Sequence, residues 1–452
     1  MTENANNATA TRQSRERVLE LLHNRSFLYL WMSQLFCQIS EQALNFGIML
    51  IVEERTHSAG QMSLAVLSYN IPTIVLGFVT GVFIDRWNKK TVMWVTNGLR
   101  TLLALVYIVI LPNLALIYVL TFIISCVWQF FGPAEAAAIP MLVKRRNLLT
   151  ANAFFNFTFF GSQVIGFVLV APTLLRIFGF EHGGLTAIFV FLAVMFATAT
   201  FWGLLLPGDR LKAVGHVQSR LSFRSIWEEL VDGWRLVFTN RFITFFTATL
   251  VLSEALTLLI VALIPRYVVG VLGIHTADVP YVLAPAGIGL IGGTLIMPYL
   301  AQRWKKEHLV TFGLFLVGFC LVLLGTIPRL YIILTTGQYE PAVRPPMVNI
   351  LPLVMGIAPF AGWGFTLLLI PSQTILQEII PIEYRGRAFA TQLKLARIFS
   401  TLPLAVLPPL ADLIGVNKVA MLGATGVLAI SYVSWRFTRG GIPAPIEEML
   451  EP

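Results

Sequence analysis

Long continuous apolar runs, separated by short charged turns, constrain this chain more than any other feature. A helix needs roughly 20 mainly apolar residues to cross the hydrocarbon of a bilayer. Runs of that kind are read at about 27 to 52, 62 to 84, 92 to 111, 114 to 136, 151 to 178 and 185 to 206. A second set follows at about 242 to 269, 280 to 301, 308 to 334, 350 to 378, 388 to 412 and 418 to 437. Apolar and polar residues do not alternate within them, as they would in a membrane β-barrel. With 56% hydrophobic residues, 12% charged residues and a mean hydropathy of +0.76, the chain is too apolar for a soluble protein. An all-α integral membrane protein with 12 transmembrane helices is expected.

The remaining segments divide it. Residues 1–26 form a polar tail ending in a short amphipathic helix, 27–206 hold six spans, and 207–241 are a polar, basic linker. Six more spans fill 242–437, and 438–452 are a second tail. In the linker, Ile226, Trp227, Leu230, Val231 and Trp234 keep helical spacing, as in a helix lying on a membrane face. Basic residues crowd alternate turns, including Arg86, Lys89 and Lys90, Lys144 to Arg146, Arg303 to Lys306, and Arg385 and Arg387. The positive-inside rule therefore places both termini in the cytoplasm, and a plasma (inner) membrane location is expected. Arg100 and Arg397 fall inside spans, where snorkelling to the inner surface is the simple expectation.

The chain also repeats itself. Arg86-Trp87-Asn88-Lys89-Lys90 after the second span returns as Arg303-Trp304-Lys305-Lys306 after the eighth. Pro140 is followed by Lys144 and Arg146, and Pro381 at the same offsets by Arg385 and Arg387. Recurrence in the same order argues for two pseudo-symmetric six-helix bundles.

The turn from Gly81 to Met93 carries Asp85, Arg86, Lys89 and Lys90 between two spans. It resembles the loop between the second and third helices of the major facilitator superfamily. That resemblance implies the family's fold, and a gating role for Gly81, Asp85, Arg86, Lys89 and Lys90, with Asp85 latching the cytoplasmic side near Arg385 and Arg387. Where the family usually has Gly, this chain has Asn88, a residue that tolerates a left-handed turn. Pro133-Ala134-Glu135 through Val143, and Ile370-Pro371-Ser372-Gln373-Thr374 with Arg385-Gly386-Arg387, look like the branch of macrolide-efflux and enterobactin-export proteins. The departures concern coupling. Span four has Val127-Trp128-Gln129 where drug antiporters often carry Arg, and in span five Gly166 is followed by Phe167 rather than Pro.

Polar groups are costly in hydrocarbon, so those in the spans should face a cavity or another helix. Gln34, Gln38, Glu41 and Asn45 share one face of span one, and Asn152, Asn156 and Gln163 share one of span five. With Arg397 they are the candidate substrate lining. Glu41 and Glu254 are the candidate proton-coupling acids. Glu135 and Glu378 lie nearer the cytoplasmic ends, where capping a loop or pairing with a basic turn is expected. Trp31, Trp128, Trp202 and Trp363 are candidates for an apolar wall or for plain packing, and the cysteines for packing.

The reading is a secondary transporter exporting an apolar or amphipathic small molecule by alternating access, with proton coupling. A lipid or lysolipid translocator without proton coupling is the alternative within the fold, and a transport-dead sensor or scaffold the alternative outside it. No His-Asp or Cys-His pair in the spans suggests an enzyme, and no phosphate loop suggests an ATP-driven pump. The expected partners are a small-molecule substrate, protons and the lipid bilayer. Nucleic acid, cofactors and metals are not expected, and a monomer is.

Overall fold

The structure is a computed structural model of the chain. It describes residues 16, 18–77, 80–179, 182–212, 235, 237, 238, 240–274, 279–336, 347–380 and 382–439. The amphipathic helix expected around 226–234 lies outside the described residues.

Every expected span has a helical counterpart. The first series is α1 (Arg25–Thr56), α2 (Ala59–Leu76), α3 (Thr80–Arg86), α4 (Lys89–Ile110), α5 (Leu114–Leu142), α6 (Leu148–Gln163), α7 (Ala171–Phe178) and α8 (His182–Leu204). The second is α9 (Arg241–Gly270), α10 (Val279–Arg303), α11 (Lys306–Thr336), α12 (Met347–Ile379), α13 (Ile382–Ile414) and α14 (Val416–Thr438). Among the described residues, 10 helices are long and apolar enough to cross a membrane, and α10 contributes a shorter apolar stretch, Val282–Met297. The fifth span completes the set in pieces: α6 and α7 are joined by a π-helical stretch, Val164–Val170, and α7 opens with Pro172 near its start.

Local chemistry explains where helices begin. The side chain of Asn88 accepts from Lys90 N at 3.0 Å, Asn113 from Leu116 N at 3.2 Å, and Asn240 from Phe242 N at 2.8 Å. Each satisfies an amide that the first turn leaves unpaired. Asn88 therefore does not replace a left-handed Gly: its φ of −67 and ψ of 118 are extended, and it serves as an N-cap. Inside the spans, hydroxyls turn back onto their own helix, as in Ser40 to Phe36 O and Ser372 to Leu368 O, because hydrocarbon offers them no water. Val109, Leu295, Leu402 and Leu413, by contrast, are exposed apolar side chains.

The helices cluster into two compact units. One comprises Met1–Ile48 and Ile71–Ser219, the other Met49–Asn70 and Arg220–Pro452. In the first, α4 packs against α5 and α8, and α3 against α5. In the second, α11 packs against α12 and α14, and α10 against α12. These are the same pairings displaced by six spans, the pattern an internal repeat requires. Glycines allow the closest approaches: a Cβ on Gly289 of α10 would collide with the Pro359 carbonyl of α12, and one on Gly293 would meet Trp363 and Thr366.

Candidate functional site

Within the first unit, α1, α5 and α6 line an open cavity of about 290 Å³. Its polar lining is Gln34 and Gln38 of α1 and Glu135 of α5; its apolar lining includes Ile139, Phe155 and Phe159. Glu135 is 8% exposed and Gln34 4%. The Oε1 atoms of both lack a hydrogen-bond partner among the described residues. Glu135 thus departs from expectation, since among the described residues it neither caps a loop nor pairs with a basic turn. Glu378, its counterpart near the end of α12, does pair with a basic turn, through Lys306.

The polar face of span one is divided between two neighbours. Gln34 and Gln38 line the cavity, whereas the Glu41 carboxylate is ion-paired with Arg100 of α4. Asn45 lies half-buried one helical turn further on. Arg100 is fully buried and does not snorkel. Its guanidinium lies 4.7 Å from the Trp128 ring centroid and 4.3 Å from that of Phe196, and donates to Cys37 Sγ at 2.9 Å. Cys37 in turn donates to Asn97 Oδ1 at 3.2 Å, so it belongs to a polar network rather than to apolar packing alone. Stacking and ion pairing together hold this arginine where water is absent.

In the second unit, Glu254 of α9 pairs with Arg397 of α13 at 2.7 Å, and Arg397 donates to Asn70 Oδ1 at 3.1 Å. The buried Glu53 of α1 lies 3.7 Å from Arg266 and 3.9 Å from His57. Asp412 of α13 accepts from Ser58 Oγ and from the amides of Ala59 and Gly60, capping α2. Neither acid stands out in the sequence. Each sits near a helix end, where a loop charge looks the same on paper.

The side chains of Asn152, Asn156, Gln163, Gly81, Asp85, Arg385 and Arg387 lie outside the described residues. Of the remaining gating candidates, Arg86 is exposed, Lys89 is buried, and Lys90 sits under the Asn88 cap, which also donates to Gly208 O at 3.0 Å. The tryptophans pack within their units: Trp31 donates to Thr158 Oγ1 at 2.7 Å, Trp202 tilts on Tyr29, and Trp363 meets Phe312 edge-on. Outside the membrane-spanning helices, Glu20 of a short helix over 18–23 is bound by Arg146, Asn147 and Lys144. Their hydrogen bonds, that of Arg146 foremost, hold its carboxyl down at about 2.

Repeated bundles of membrane-spanning helices, with a part-polar cavity inside one, are the architecture that secondary transporters use. The chain belongs to the Major Facilitator Superfamily, whose family model matches residues 30–396. It is 23% identical over 419 residues to Macrolide efflux protein A of Streptococcus pyogenes, covering 90% of this chain and 94% of that protein. It is also 23% identical over 330 residues to the MFS-type transporter YkuC of Bacillus subtilis (strain 168), covering 68% and 72%. Among solved structures, a mutant of the nucleoside transporter NupG superposes with a TM-score of 0.71 at 13% identity, covering 91% of this chain and 100% of that one. A bacterial homologue of the iron transporter ferroportin, inward-facing, gives 0.68 at 15%, covering 91% and 98%.

Proposed function

We propose that this transporter exports an apolar or amphipathic small molecule, of the size of a drug, macrolide or siderophore, by alternating access coupled to protons. The observation that carries the proposal is the cavity of the first unit, which combines apolar walls with Gln34, Gln38 and a Glu135 whose Oε1 has no hydrogen-bond partner among the described residues. A few placed polar groups on an apolar wall are what a site for amphipathic ligands needs. Likeness to a macrolide efflux protein supports export as the direction. The proton-coupling roles of Glu41 and Glu254 are supported by their partners. Each carboxylate faces an arginine, Arg100 or Arg397, in a pair that protonation of the acid would break. In this reading Asn45, Asn152, Asn156 and Gln163 extend the lining, Asp85 with its basic neighbours gates the cytoplasmic side, and both termini lie in the cytoplasm.

Purified protein in liposomes with a pH-sensitive dye inside tests it. A proton gradient is imposed, and lipophilic cations, macrolides, siderophores and lysolipids are presented to wild type, Glu41→Gln and Asp85→Asn. A compound that moves protons in wild type, and no longer does so in Glu41→Gln, supports antiport. Substrate movement without protons, indifferent to Glu41→Gln, overturns coupling by Glu41 and makes a facilitator or lipid translocator the better account.

A further inference from the structure

Glu135 is an acid with no counter-charge among the described residues. It sits on α5 in an otherwise apolar stretch, 8% exposed, and lines the cavity with an Oε1 that has no hydrogen-bond partner among the described residues. Ionising a buried carboxyl without a partner is costly, so such a group stays neutral unless something supplies the missing positive charge. The nearby charges do not. Arg100 is engaged with Glu41 and Cys37 and is stacked between Trp128 and Phe196. Cys37 is committed to Asn97 and Arg100. The Oε1 of Gln34, in the same lining, is a second buried acceptor without a donor among the described residues. What the lining lacks is therefore a positive charge that also carries N–H groups. The remaining wall describes the rest of the ligand. Phe155 and Phe159 present aromatic rings and Ile139 an aliphatic side chain, and an aromatic face attracts an ammonium as well as an apolar body.

We infer that this cavity is a subsite for a lipophilic molecule bearing a protonated amine, with Glu135 as its counter-ion and Gln34 as the second acceptor. The inference rests on the transport reading above and narrows its substrate class from amphipathic molecules in general to lipophilic ammonium ions. A volume of about 290 Å³ holds a bicyclic aromatic ring with a short aminoalkyl arm, or the amine-bearing end of something larger. A neutral ligand of the same shape supplies no charge to offset the cost of ionising Glu135, so the site discriminates by charge.

The test uses 1-naphthylmethylamine, cationic at neutral pH, and its N-acetyl derivative, which keeps the ring and loses the charge. Equilibrium dialysis against detergent-purified full-length protein measures both affinities. The ammonium should bind wild type about tenfold or more tightly than the amide, the scale of a charge-assisted hydrogen bond in a desolvated site. Glu135→Gln should abolish that preference, and its thermal melt in the same detergent reports whether the variant is folded. Equal affinities in wild type, or a preference that survives Glu135→Gln, overturns the inference. If Glu135→Gln does not fold, wild type decides. A hydrophobic carbodiimide is allowed to modify carboxyls, and peptide mapping follows Glu135. The ammonium should protect Glu135 and the amide should not; protection by both or by neither overturns the inference. The liposome experiment fails separately. Glu135-dependent ammonium binding with no transported compound sinks the export reading and leaves the subsite standing, and transport without ammonium preference does the reverse.

Discussion

Glu41 and Arg100 form an ion pair inside the first unit, the carboxylate 3% exposed and the guanidinium fully buried. Their attraction offsets desolvation only while both are present. Removing one partner strands the other. Glu41→Gln and Arg100→Gln should each cost ~3 to 5 kcal/mol, and the double variant should cost clearly less than the two added together. Thermal unfolding in detergent, with all members of the cycle at one pH, checks this. Additive losses would show that the pair is not an energetic unit. The result also calibrates the transport assay, because a Glu41→Gln protein that is merely unfolded says nothing about coupling.

Glu20 provides a pH dependence with a definite sign. Its carboxyl is held at about 2, against an ordinary value of 4.5, by hydrogen bonds from Arg146, Asn147 and Lys144. The folded-state value is depressed, so the contribution to docking the 18–23 helix is complete above about 4.5 and is lost as pH falls toward 2. The cations are largely exposed, so salt should weaken the contact as well. Hydrogen exchange over residues 18–23 should accelerate on acidification through that window in wild type. In Arg146→Ala exchange should already be faster at neutral pH and should respond less to acid. Unchanged exchange in both proteins would refute the clamp.

Two contrasting glycines test how closely the spans pack. Gly289 meets the Pro359 backbone of α12, which cannot swing aside as a side chain can, whereas a Cβ on Gly132 would meet nothing within 4 Å. Gly289→Ala should therefore destabilise by ~1 to 3 kcal/mol through overpacking. Gly132→Ala should be neutral or stabilising by up to ~1 kcal/mol, since Ala is the better helix former. Thermal melts of both variants in one detergent decide; equal shifts would remove the case for a close α10–α12 contact.

The spans were legible because the thickness of a bilayer sets a length that apolar runs must match, and their order carried the repeat. Spacing also found the polar face of span one, since Gln34, Gln38 and Glu41 recur at helical intervals. It did not show that one stripe serves two neighbours, cavity and Arg100, because a helical face is wide enough to touch more than one helix. Arg100 was misread because its partners Glu41, Trp128 and Phe196 sit on other helices, and no local rule connects them. Glu135 was discounted for its nearness to the basic turn at Lys144. The available signal was the cost of an acid among Ala134, Ala136, Ala137 and Ala138 in a span.

Asp412 closes the start of α2 in the second unit. Its carboxylate accepts from Ser58 Oγ at 2.6 Å, Ala59 N at 2.7 Å and Gly60 N at 2.8 Å. The first-turn amides of a helix have no partners within it, and the helix dipole favours a negative charge there. Here the cap comes from α13, so it ties two helices together as well as finishing one. Asp412→Ala should cost ~1 to 2 kcal/mol, the upper range for a lost cap, and Asp412→Asn less, because an amide oxygen still accepts while the charge is gone. Hydrogen exchange separates this from a general loss of stability: the amides of Ala59 and Gly60 should lose protection first, with the middle of α2 unaffected. Uniform loss along α2 would mean that Asp412 acts through overall packing and not as a cap.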